Sequence, residues 1–154
     1  MKRTVKIIVL AIVFGIFFVF PAAAQKTKSD FQKMYMTFLN QKKYSPVIDD
    51  DGDIVFNYNG DNYIIIVNEK NPQLFEMFYP LNVSNYPMQK AVNAANFANR
   101  NSDVVTVYVL PDGKTAIISV GLLLLKPKDF QTLFPKILGL IDDALENFKK
   151  EIWN

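Results

Sequence analysis

Apolar residues recur along this chain with two periods, and the switches between them predict its elements. Phe31, Met34, Tyr35, Phe38 and Leu39 fall at i, i+3, i+4, i+7 and i+8, the stripe of an amphipathic helix. Ser29 offers a cap, Asp30 suits the positive end, and Lys42-Lys43 the negative one. From residue 45 the period changes to two. Residues 45–48 predict a short extended piece, with Pro46 suited to an edge. Residues 53–58, 62–67 and 74–81 predict three longer strands. Asn59-Gly60 between the first two is a strong hairpin signal. Four consecutive antiparallel strands form a meander.

Pro87 suits a helix start, and residues 88–99 carry a small-residue stripe of Ala91, Ala94, Ala95 and Ala98. Small side chains let a helix axis lie close to its neighbour, so the stripe reads as packing. Residues 104–110 are β-branched and aromatic. Pro111-Asp112-Gly113-Lys114 turns the chain, and residues 115–125 pair back, with Gly121 marking a bulge or the strand end. Pro127 and Asp129 open a last helix carrying Phe130, Leu133, Phe134, Ile137, Ile141, Leu145, Phe148 and Ile152 at helical spacing. The order α-β-β-β-β-α-β-β-α predicts an α+β two-layer sandwich with an antiparallel sheet.

One departure from simple alternation matters. A sheet with one wet face alternates apolar and polar residues. Residues 62–67, 104–110 and much of 117–125 are apolar on both faces. The expectation is that both faces are covered, the second by a partner chain or a ligand. The alternative is that the first and last helices cover opposite faces.

The chain begins with a different pattern. Lys2, Arg3 and Lys6 precede a charge-free run from Ile7 to Phe20, then Pro21 and Ala22-Ala23-Ala24. A run of roughly 14 apolar residues is short of the ~20 that a spanning helix needs. It matches a secretory signal peptide over residues 1–24, cleaved before Gln25, with residues 25–154 forming one exported domain. The protein is expected in the periplasm or outside a bacterium. The leader also alters the charge. The whole chain carries +2, but without those three of the 17 basic residues, 14 face 15 acidic ones, a net of −1. Nucleic acid needs a clustered basic face, and Lys42-Lys43 and Lys149-Lys150 are isolated doublets. Nucleic acid is therefore not an expected partner, and the membrane is met only during export.

Chemistry is sparse. The chain has no cysteine and no histidine. That removes thiolate chemistry, the usual general base and the usual zinc ligand. Asp49-Asp50-Asp51-Gly52-Asp53 resembles a calcium loop only in part. With Gly52 at loop position six, position one is Val47 and position twelve is Tyr58. An acidic hairpin turn is the better reading, and no metal or other cofactor is expected. Glu69, Glu76 and Asp103 sit near strand ends at no fixed separation, and Ser84, Ser102 and Ser119 lack an activating base. The protein is not expected to be an enzyme. Asn82-Val83-Ser84 is a formal glycosylation sequon, relevant only in a eukaryotic secretory pathway.

The aromatic residues carry the remaining signal. Phe75, Phe78, Tyr79, Tyr63 and Tyr108 are candidates to line a groove. Alternation sets Phe78 opposite to Phe75, Met77 and Tyr79, so Phe78 faces outward if those three face the helices. Phe78, Tyr63 and Tyr108 are the candidate binding residues.

The stretch Tyr44-Ser45-Pro46-Val47-Ile48-Asp49-Asp50-Asp51-Gly52-Asp53-Ile54-Val55-Phe56-Asn57-Tyr58-Asn59-Gly60 resembles the opening of YbjN-like domains, which share the type III secretion chaperone-like fold. The likeness continues through the alanine-rich helix, the second hairpin and the last helix, roughly residues 31–148. It implies an α+β sandwich that often dimerises and binds polypeptides, with no catalytic residues to carry over. Many such proteins act in the cytoplasm, whereas this chain carries an export signal. The expected function is an exported, non-enzymatic binding module, chaperone-like or regulatory, that engages a protein or peptide and self-associates. The alternative is an exported carrier of a small apolar ligand.

Overall fold

A computed structural model describes residues 27–154; the leader predicted over residues 1–24 lies outside them. Helix α1 (Lys28–Gln41) opens at Thr27, not at Ser29. The Thr27 hydroxyl accepts the Asp30 backbone N–H at 3.3 Å, and the Asp30 carboxylate accepts the Thr27 N–H at 2.9 Å. This reciprocal box satisfies two orphan donors at the start of the helix. Strands β1 (Val47–Ile48), β2 (Ile54–Tyr58), β3 (Asp61–Ile66) and β4 (Leu74–Asn82) follow as the expected meander. The β2–β3 turn has Asn59 at φ 54° and Gly60 at φ 92°, the left-handed pair that a tight hairpin requires.

Helix α2 (Met88–Asn101) then carries the chain to the far edge, where β5 (Val105–Val109) lies. Strand β6 (Thr115–Leu123) returns between β5 and β4. A short 3-10 turn (Pro127–Asp129) leads into α3 (Phe130–Ile152). The sheet order is β1-β2-β3-β4-β6-β5, antiparallel throughout. The fold is thus α+β in the predicted element order. Gly121 neither bulges nor ends β6; it pairs in register with Glu76.

Among the described residues, α1, α2 and α3 all lie on one face of the sheet, which overturns the alternative of the first and last helices on opposite faces. The Phe130 ring of α3 stacks on Phe75 of β4 at 5.6 Å and meets Tyr35 and Phe38 of α1 edge-on at 4.9 and 5.0 Å. Phe134 meets Phe38 at 5.1 Å and Phe56 of β2 at 5.7 Å. The alanine stripe of α2 is buried where α2 meets α3 and β5. These rings join all of the first five elements except β1 and β3 to α3 directly, and β3 enters through Tyr63, stacked on Phe56 at 5.5 Å.

Phe130 is therefore the residue whose loss is expected to be felt most widely. Phe130→Ala should destabilise the protein by about 3–5 kcal/mol, out of the ~5–15 typical of a domain. Urea unfolding of both proteins measures this, and a loss below 1 kcal/mol would contradict the packing described.

Candidate functional site

Cross-strand register builds the face that the helices leave open. One row runs Val47–Val55–Ile64–Phe78–Ser119–Thr106 across all six strands. A second holds Pro80, Ile117 and Tyr108, a third Ile66, Glu76 and Gly121, and a fourth Leu74 and Leu123. Val47 is 57% exposed, Tyr108 38% and Leu123 78%. Phe78, Ile64 and Val55 are half-buried by one another. Glu76 is the one charged side chain in these rows, the third residue of β4 and so near its start. The Ser119 hydroxyl is already spent, donating to the Thr106 carbonyl at 3.1 Å. Several strands are apolar on both faces, as the sequence indicates, but the second face has no cover among the described residues.

The five aromatic candidates divide between the faces. Phe78 and Tyr108 share the open one. Phe75, Tyr63 and Tyr79 lie under the helices, each at most 4% exposed. A binding role for Tyr63 at a surface is thereby corrected. Its position faces α3 by strand alternation, and its hydroxyl donates to Asp142 at 3.3 Å. Burial, and then the Asp142 charge, push the Tyr63 phenol well above its ordinary value of 10.0. Tyr79 beside it is pushed up to about 12, by burial first and then by Asp61.

The backbone at the sheet edges is answered by side chains that the sequence did not single out. Asn99 of α2 donates to the Val107 carbonyl at 2.8 Å and accepts the Val107 N–H at 2.7 Å. Its amide occupies the free side of β5 as a neighbouring strand would. Asn147 of α3 donates to the Asn101 carbonyl and the Ser102 hydroxyl, at 3.0 and 3.1 Å, and so braces the turn into β5. In that turn Val104 holds φ 63°, a left-handed conformation that costs a β-branched residue about 1–2 kcal/mol. A lone polar residue at the end of a helical stripe carries no pattern that marks it as a clamp.

The acidic turn is committed elsewhere. Asp49 accepts the backbone N–H groups of Asp51 and Asp53 at 3.1 and 2.8 Å, and Asp53 accepts that of Val67 at 2.8 Å. Lys28 and Gln32 of α1 donate to the carbonyls of Asp51 and Gly52. Glu69 accepts the Lys28 N–H at 3.0 Å, at the positive end of α1. Among the described residues, no group of three or more acidic side chains is placed to hold a metal ion.

Comparison with known proteins addresses the fold. No family model matches the chain, and no curated protein does. The chain is similar to the crystal structure of an uncharacterized protein from Methanothermobacter thermautotrophicus. The TM-score is 0.52 at 14% identity, covering 80% of this chain and 94% of that one. At that identity the likeness shows the fold alone. A weaker likeness, at TM-score 0.49 and 12% identity, is to the HopA1-SchA chaperone-effector complex; it covers 80% of this chain and 96% of that one. A score below 0.5 carries no weight for function.

Two tests follow from this geometry. Asn99→Ala strips both partners from Val107 and should cost about 1–3 kcal/mol. Hydrogen exchange at the Val107 amide should quicken more than at neighbouring strands; unchanged exchange would show that water replaces the clamp. The second test concerns Asp142. Burial, then the nearby Asp143, Glu146 and Asp61, raise its carboxyl above 3.8, while the Tyr63 hydrogen bond opposes them. The folded protein thus holds this proton more tightly than the unfolded chain. The stability it contributes is present below 3.8 and is lost as pH rises through the raised folded value. Asp142→Asn keeps an acceptor for Tyr63 and removes the charge. At pH 7 the variant should match or exceed the parent, by less than about 1 kcal/mol because the group is partly solvated. Its stability should also vary less through acid pH, and thermal melts across that range read both effects.

Proposed function

We propose that this protein is an exported, non-enzymatic binding module that engages a polypeptide through its open sheet face and self-associates. The observation that carries this reading is the row from Val47 through Phe78, an apolar band across β1 to β4 with no cover among the described residues. Monomeric proteins seldom leave a contiguous apolar patch of more than a few hundred Å² in water. An aromatic such as Phe78 near the middle of such a patch is the usual anchor of a protein interface. The YbjN-like resemblance points the same way, toward polypeptide binding. The leader assigns the work to a compartment outside the cytoplasm.

The surface favours a polypeptide over a small apolar ligand. An apolar carrier encloses most of its ligand in an apolar cavity. The depression at the end of β4, about 630 Å³, is instead lined in part by Asn82, Ser84, Asp112 and Lys114. The open face is a broad sheet surface, which suits an extended or flat partner.

A photo-crosslinking phenylalanine analogue at position 78, activated in the producing cell, tests the reading. Attachment of a polypeptide at position 78, and not at the exposed Lys150 on α3, is the expected result. Recovery of only lipids or small molecules at position 78 would favour the carrier instead.

A further inference from the structure

Resting on the reading above, we infer that the open sheet face is the self-association surface, and that its occupant in the isolated protein is a second copy packed face to face about a two-fold axis. The sheet edges offer little else. Asn99 fills the free side of β5 at Val107, and β1 at the other edge is two residues long. Association by adding strand to strand therefore has little backbone to use, whereas the face is broad. Six strands span about 24 Å and the nine-residue β4 and β6 about 30 Å. With its shorter flanking strands the face presents roughly 600 Å² per copy, the lower end of the ~1,200–2,000 Å² in total that a specific interface buries. A concentration-dependent dimer is the expected form.

The register also fits a copy of itself. A C2 interface must be self-complementary. An axis lying along the middle row sets Phe78 against its equivalent at the centre and turns the third row over the second. Gly121 of one copy then faces Ile117 of the other, small against large. The added space is real: a side chain at Gly121 would meet nothing within 4 Å in the single chain. The same axis displaces the two Glu76 carboxylates by about 13 Å along the strands, so like charges do not meet. The rows otherwise carry no charge with which to select a foreign partner.

Gly121 supplies the test, because the single chain has room for a side chain there and its backbone lies outside the left-handed region. Sedimentation velocity on the purified protein should show a monomer–dimer equilibrium. Gly121→Glu should weaken it about tenfold or more by burying an unpaired charge, with an unchanged thermal melt. Phe78→Asp should do the same. The chain has no cysteine, so Ser119→Cys offers a single site near the axis. A short bis-maleimide should join two copies through Ser119→Cys and not through Lys136→Cys on α3. A protein that stays monomeric, or a dimer indifferent to both Gly121→Glu and Phe78→Asp, overturns the proposal. A monomer that still attaches a foreign polypeptide at position 78 overturns it too, yet leaves the binding function standing. A dimer broken by Gly121→Glu in a protein that attaches no foreign polypeptide supports it and limits the function to self-assembly.

Discussion

The ring of Phe130 lies where α1, α3 and β4 meet, and Phe134 one turn later reaches α1 and β2. Once these rings are stacked, α1 and α3 must share one side of the sheet. Each aromatic side chain buries on the order of 150–250 Å², so a large part of the core's burial is spent on this arrangement. Helix α2 then packs its alanines where α3 and β5 leave room. Among the described residues no helix remains for the other face. The exposed band through Phe78 is thus a consequence of how the aromatic core closes.

Polar groups are handled differently on the two sides. Beneath the helices, Tyr63 and Tyr79 turn their hydroxyls toward Asp142 and Asp61, so buried phenols have acceptors, and Asp142 is partly desolvated in return. On the open face the polar groups lie around an apolar centre: Ser119 bonds the strand next door, Glu76 is the one charge in the rows, and Asn57, Asn62 and Thr106 are exposed to water. The apolar centre around Val55, Ile64 and Phe78 loses little by meeting another apolar surface. The β5 edge, rich in backbone donors and acceptors, is closed at Val107 by Asn99. The chain therefore discourages association along this edge and leaves it available on the face.

Long-period patterns were legible in the chain. The stripe from Phe31 to Leu39, the alternation around Phe56 and Met77 and the Asn59-Gly60 turn encode helix, strand and hairpin locally, because side-chain period and backbone conformation are tied within a few residues. The sequence also showed that several strands are apolar on both sides and that Phe78 points away from Phe75 and Tyr79. Tyr63 was misplaced among the surface residues because its relation to Phe78 depends on the β3–β4 register, which pairs Phe78 with Ile64. Shifting a register by one residue exchanges the faces of a whole strand.

The sequence by itself determined the elements, their order and the surplus of apolar surface, since each depends on neighbours close in the chain. Only the tertiary structure decided which face the helices take, that Asn99 meets Val107 across the turn into β5, and that Gly121 leaves space and not a bulge. Those outcomes depend on contacts between residues far apart in sequence or on the direction of one side chain, and neither is carried by periodicity.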